Sequence, residues 1–146
     1  MDTLSLLVSL DKNYLPQLQV LLTSLRLNNP GETIDLYLLH SSLSPQDLQA
    51  VERRCGAWGY GFHPVRVDES LFQDAPASKQ YPKEMYYRLL AGRLLPEHLD
   101  RVLYLDPDIL VINPLRPLWE TDLRGCLFAA AAHTGMTDLA NNVNRV

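Results

Sequence analysis

Residues Arg101 to Asn113 read RVLYLDPDILVIN and set two carboxylates, Asp106 and Asp108, between apolar runs at Val102–Leu105 and Ile109–Ile112. Runs of Val, Leu, Ile and Tyr suit a strand buried on both faces, the usual state of a parallel sheet covered by helices. Ionised carboxylates are costly to bury unpaired, and two of them close together repel, so one must take up a proton or both must share a cation. The economical placement is the open carboxyl end of the strand, with Asp106 and Asp108 holding a divalent metal. Oxygen donors favour Mn²⁺ or Mg²⁺. Pro107 suits that place, because a missing N–H costs little where sheet pairing has stopped. The plain alternative is an exposed turn, in which Asp-Pro-Asp is common.

A second polar cluster, Asp11-Lys12-Asn13, closes the apolar run TLSLLVSL at residues 3–10. No basic stretch precedes that run and it passes straight into charge, which predicts a first strand and no signal peptide. Pro16 suits the first turn of a helix, and Leu15, Leu18, Leu21, Leu22 and Leu25 recur at helical spacing up to Asn28-Asn29-Pro30-Gly31. A second strand is predicted at Thr33–His40. Ser44-Pro45-Gln46-Asp47 starts a helix, with Ser44 as cap and an acid near the positive end of the dipole. Its buried stripe is Leu48, Val51, Cys55 and Trp58, and Gly56, Gly59 and Gly61 supply the exit to a third strand at Phe62–Val67.

From Asp68 to Gln80 the pattern dissolves into a long loop, a feature that in compact domains is functional or disordered. Helical spacing returns after Pro82, with Met85, Leu89 and Leu90 on one side, and stops at Pro96. The acidic strand follows, ended by Asn113-Pro114, then a turn at Leu115–Trp119 and a predicted last strand at Cys126–Ala132. Residues 133–146 show no clear period.

Strands alternating with helices predict a doubly wound α/β fold, a mostly parallel sheet flanked by helices. Ligands of such sheets sit outside the carboxyl ends of the strands, where strand order switches. Both polar clusters fall at such ends, so parallel neighbouring strands would turn them to one crevice. No GxxxxGK[ST] or GxGxxG glycine pattern is present. A nucleotide here would be held by metal and side chains instead of a glycine cradle.

The 146 residues, 47% hydrophobic and 21% charged with a formal charge of -4, describe an ordinary soluble domain able to bury a core. Its 13 dispersed basic residues give no reason to expect nucleic acid or an anionic membrane surface as partner. Two cysteines, Cys55 and Cys126, form neither a disulfide framework nor a metal site on their own, which fits a reducing compartment. No apolar run approaches the length of a membrane span. The expected location is cytoplasmic, with room for peripheral association of the intact protein with the inner face of the membrane.

The segment VLYLDPDILVINPLRPLWETDL resembles the Asp-X-Asp strand and following turn of family 8 glycosyltransferases, retaining enzymes of the Rossmann-like GT-A fold related to lipopolysaccharide galactosyltransferases and glycogenin. VSLDKNYLPQLQVLLTSL resembles that family's nucleotide-binding first strand and helix, and KEMYYRLLAGRLLP its helix carrying a donor-contacting arginine. The three agree in order and separation. Haloacid-dehalogenase-like phosphatases also end a buried strand in Asp-X-Asp, but normally the first strand and with Thr or Val soon after. Here the motif follows the fourth, and Ile109-Leu110 come next.

The resemblance implies a metal-dependent transferase moving a hexose from a UDP-sugar to a glycan or lipopolysaccharide-type acceptor. Asp11 and Asn13 match contacts to uracil and ribose, with Tyr14 near the base. Arg88 matches the donor contact, its helix face shared with the small Ala91 and Gly92. Asp106 and Asp108 match manganese ligands that also bind the diphosphate. Leu10 and Pro107, adjoining these, complete the expected donor contacts. Residues 75–80 would fold over the donor. His133 stands where several relatives have an aspartate, and the acceptor region and a later histidine that completes the metal site have no match. Residues 1–146 therefore read as the donor-binding half of a longer enzyme, or as a non-catalytic nucleotide-sugar-binding fragment. No nucleophile is apparent.

Other residues have plainer readings. Tyr14 could equally be a core residue at the helix start. Trp58, Trp119, Tyr86 and Tyr87 read as packing residues and not as a sugar platform, and His40, His63 and His98 are scattered without a partner at ligand spacing.

Overall fold

The structure, a computed structural model, describes residues 2–72, 74 and 83–131, with Met85 described by its backbone alone. Strand β1 (Leu4–Ser9) is buried along its whole length. Helix α1 (Leu15–Asn28) starts with Pro16 in its first turn and buries Leu18, Leu21, Leu22, Ser24 and Leu25. Its end is tied by Asn29, whose backbone and side-chain N–H groups both donate to the Leu25 carbonyl, at 2.9 and 3.1 Å. Strand β2 (Ile34–His40) and helix α2 (Pro45–Ala57) follow. Ser44 and Asp47 form a reciprocal capping box at the start of α2: the Asp47 N–H donates to Ser44 Oγ and the Ser44 N–H to Asp47 Oδ2. Strand β3 (Gly61–Arg66) completes the first half.

Strand β4 (Leu103–Tyr104) joins on the far side of β1, giving the order β3-β2-β1-β4 with every pair parallel. Alternation along β1 sends Leu4, Leu6 and Val8 to one face, where they meet Leu18, Leu21, Leu22 and Leu25 of α1 and Val51 and Cys55 of α2. Leu7 faces the other way, towards Tyr37, Leu39, Val67, Phe72 and Tyr87. Both faces are covered, which is why the strand runs are continuously apolar. At Gly61 a Cβ would overlap the Asp35 carboxylate, so a larger residue there would have to push that side chain out of its contact with His63.

The first three strands and first two helices follow the sequence reading to within a residue or two. Three later expectations are corrected. The helix after Pro82 is broken into α3 (Glu84–Tyr87), a 3₁₀ turn at Arg88–Leu90 and α4 (Ala91–Leu94). Tyr87 is fully buried while Leu89 is 73% exposed, so packing of one anchor against the sheet outweighs a single helical stripe. The acidic strand pairs only at Leu103–Tyr104, extended by the Leu105 N–H donating to the Leu7 carbonyl at 2.9 Å. Ile109, Leu110 and Ile112 are exposed and only Val111 is buried. Side chains of α1 take up the Val111 backbone instead of a strand: its N–H donates to Ser24 Oγ at 3.0 Å and its carbonyl accepts from Asn28 Nδ2 at 2.9 Å.

The third correction concerns the predicted last strand. Cys126–Ala131 has no regular structure and exposes Leu127 and Phe128, and no described strand lies beside it; residue 132 falls outside the described residues. Arg124 and Gly125, at φ 50 and 76, reverse the chain just before it. The turn expected at Leu115–Trp119 is present as helix α5 (Arg116–Trp119). Trp58, Trp119 and Tyr86 pack against the two cores and Tyr87 lies within one, as expected of packing residues.

Candidate functional site

Because all four strands are parallel, their carboxyl ends open on one edge of the sheet. β1 and β4 are neighbours with Leu7 opposite Tyr104, so the residues just after each strand lie side by side. After β1, Asp11 caps a 3₁₀ turn at Lys12–Tyr14: its Oδ1 accepts the Asn13 N–H at 2.7 Å and its Oδ2 accepts Asn13 Nδ2 at 3.2 Å. The predicted cap role of Asp11 is thus present. After β4 the chain turns through Asp106, Pro107 and Asp108, with both carboxylate residues exposed and the proline buried between them.

Arg88 reaches this turn from the 3₁₀ segment. Its Nη1 lies 3.5 Å from Asp106 Oδ1, and its guanidinium carbon lies 4.7 Å from the centre of the Tyr104 ring. The Tyr104 hydroxyl donates to the same Asp106 Oδ1 at 2.9 Å. Burial, and then the negative charge of Asp106, push the Tyr104 phenol well above its ordinary range, so it keeps its proton and acts as donor. Ser9 Oγ donates to the Glu84 carbonyl at 2.5 Å and ties the start of α3 to the end of β1.

Together these groups enclose a cavity of about 210 Å³. Leu10, Asp11, Tyr14, Arg88, Asp106, Pro107 and Asp108 of the expected contacts line it; Asn13 does not, and is joined to it through Asp11. Tyr14 is 37% exposed, so it is no core residue at the helix start. Sequence reasoning missed Ser9, Glu84 and Tyr104, which also line the cavity. The period of a strand relates Tyr104 to Asp106, and the period of a helix relates Glu84 to Arg88, so both had a local signal. His133 and residues 75–82 lie outside the described residues.

Two carboxylates on one turn present the hard oxygen donors that a divalent cation prefers. They are an incomplete set, since among the described residues no group of three or more His, Cys, Asp or Glu side chains gathers at metal distance. Of the histidines set aside, His40 is buried at the end of β2, its pKa lowered by burial and then by the Arg66 charge. His63 stacks on Tyr37 and pairs with Asp35 at 3.0 Å. No described helix is long and apolar enough to cross a membrane.

The parallel sheet with this crevice at its carboxyl edge is the GT-A glycosyltransferase fold. It superposes on the galactosyltransferase LgtC, solved in complex with donor and acceptor sugar analogues, with a TM-score of 0.74 and 30% identity, covering 82% of this chain and 43% of that one. Residues 5–146 match the sequence model of glycosyl transferase family 8, and the chain belongs to that family. Among curated relatives, the glycosyltransferase GlyF of Streptococcus pneumoniae is 30% identical over 83% of this chain and 29% of its own length. A lipopolysaccharide 1,2-glucosyltransferase of Escherichia coli is 28% identical over 88% of this chain and 38% of its own. The chain therefore spans well under half the length of these relatives.

Proposed function

We propose that this chain is the donor-binding half of a metal-dependent, retaining glycosyltransferase that takes a hexose from a UDP-sugar and delivers it to a glycan or lipopolysaccharide-type acceptor. The observation that carries the reading is the cavity that Asp11, Arg88 and the Asp106–Asp108 turn share. Asp11 and Asn13 would take the polar edge of uracil and the ribose, with Tyr14 against the base. Arg88 presents a planar, permanently charged fork suited to diphosphate oxygens. Asp106 and Asp108 would hold Mn²⁺ or Mg²⁺. When bound, such an ion neutralises charge developing on the departing diphosphate, a Lewis-acid contribution worth several kcal/mol. The unpaired cysteines, one buried and one exposed, suit a reducing, cytoplasmic setting.

A second reading is favoured by the chain's length relative to its relatives: by itself it binds a nucleotide sugar without turning it over. Calorimetric titration of UDP into the 146-residue chain, with and without Mn²⁺, tests the donor site. We expect Mn²⁺ to strengthen UDP binding, and Asp106→Ala and Asp108→Ala to abolish that gain. UDP binding that is indifferent to metal and unchanged in both variants would overturn the metal role. Turnover of UDP-sugars by the chain alone would rule out the fragment reading.

A further inference from the structure

We propose that Tyr104 is the positioning residue of the donor site, fixing the Asp106 carboxylate with its hydroxyl and the Arg88 guanidinium with its ring. The inference rests on the reading of Asp106 and Arg88 given above, and it concerns how a neighbouring residue of the cavity wall holds those two side chains. Tyr104 is the last paired residue of β4, so its backbone is fixed by the sheet. Asp106 lies two residues on, beyond the pairing, with a side chain 53% exposed. Left alone, such a carboxylate would turn freely about its side-chain bonds, and a cation would have to immobilise it on binding. The 2.9 Å hydrogen bond from the Tyr104 hydroxyl, beside the Arg88 contact, restricts that freedom before any ligand arrives.

Arg88 comes to the same place from a short 3₁₀ turn on the other side of the cavity. The Tyr104 ring lies beneath its guanidinium carbon at 4.7 Å, within range of a cation–π contact. Hydroxyl and guanidinium converge on one oxygen, Asp106 Oδ1, at 2.9 and 3.5 Å. The three side chains thus close a triangle whose rigid corner is the aromatic ring. Phenylalanine at this position keeps the ring and deletes the hydroxyl, while leucine deletes both, so the two functions separate.

The test combines UDP titrations with and without Mn²⁺, Mn²⁺ affinity read from the spin resonance of the free ion, and thermal melting of each variant. For Tyr104→Phe we expect Mn²⁺ affinity about tenfold weaker, the usual result of removing a hydrogen-bond partner from a metal ligand, and a smaller loss in metal-free UDP affinity. For Tyr104→Leu we expect UDP binding to weaken without metal as well, because Arg88 loses its contact with the ring. A residue that merely packs would move the melting temperature and leave the Phe variant's Mn²⁺ affinity untouched; a change of less than twofold there overturns the proposal. Failure of the unaltered chain to bind UDP would overturn the donor reading itself, and this inference with it.

Discussion

Residues 4–66 and residues 84–131 meet at the cavity but are built by different means. The first stretch has long strands paired along their whole length, two helices of several turns, the second with a capping box at its start, and side chains fully buried on both faces of the sheet. The second contributes a two-residue strand, helical pieces of a single turn, and a series of exposed apolar residues that includes Leu110, Ile112, Leu127 and Phe128. The second stretch is held to the first by the short β1–β4 pairing, by single buried anchors, Tyr87, Leu105, Val111 and Leu115, and by a set of directed polar contacts. Asn28 and Ser24 take the Val111 backbone, Asn29 Oδ1 accepts the Leu115 N–H at 2.6 Å, and Arg116 forms a forked pair with Glu32. The comparison teaches that burial along fully paired strands builds the scaffold, while the Asp-Pro-Asp turn is placed by a short β4 and by the anchors and hydrogen bonds from the end of α1 that seat the chain just after it. A site at such a seam combines a rigid wall, from β1, with a wall that local opening can move.

The largest effect should come from the scaffold. Leu38 is fully buried in the centre of β2, and Leu38→Ala should cost about 2–5 kcal/mol in urea unfolding. A loss well below that range would show that the first stretch is not the tightly packed partner. A smaller effect is expected at the seam: Asn29→Ala leaves the buried Leu115 N–H unpaired and should cost about 1–3 kcal/mol. It should also speed amide exchange at Val111 and Leu115 while the β1–β2 amides keep their protection. Equal acceleration in both stretches would erase the distinction between them.

The smallest effect is a pH dependence carried by His40 of the scaffold. Its folded pKa lies below the ordinary 6.5 because burial disfavours the charged ring, so as pH falls through that value the unfolded chain takes up a proton that the folded chain refuses. Stability is therefore fully present above pH 6.5 and declines below it, until the folded group titrates in turn. His40→Gln should flatten this slope in unfolding measured from neutral to mildly acid pH. A slope unchanged in the variant would assign the effect to other groups.

The two stretches also differed in how far they could be read beforehand. In the first, every boundary had a local mark: Pro16 and the leucine stripe of α1, Asn29 at its end, the Ser44–Asp47 box, and glycine at 59 and 61. In the second, Ile109–Ile112 and Cys126–Ala132 looked like strands because apolar runs of that length usually are. Whether such a run becomes a strand depends on a neighbour to pair with. Val111 found hydrogen bonds from α1 instead, and Cys126–Ala131 has no described strand at its side.

Asp11, Arg88 and the Asp106–Asp108 turn were legible as chemistry because their residue types sit at marked ends of apolar or helical patterns. The strand period that links Tyr104 to Asp106 was legible too, but it said nothing of what the hydroxyl and ring would touch. In residues 4–66 the sequence alone determined which strands and helices form, and in both stretches which ends carry charge, since periodicity and capping act over a few residues. Only the tertiary structure decided that β4 lies against β1. Strand order follows from pairings far apart in the chain, and that one pairing brings the aspartate after the first strand, the arginine of a broken helix and the acidic turn to the same cavity.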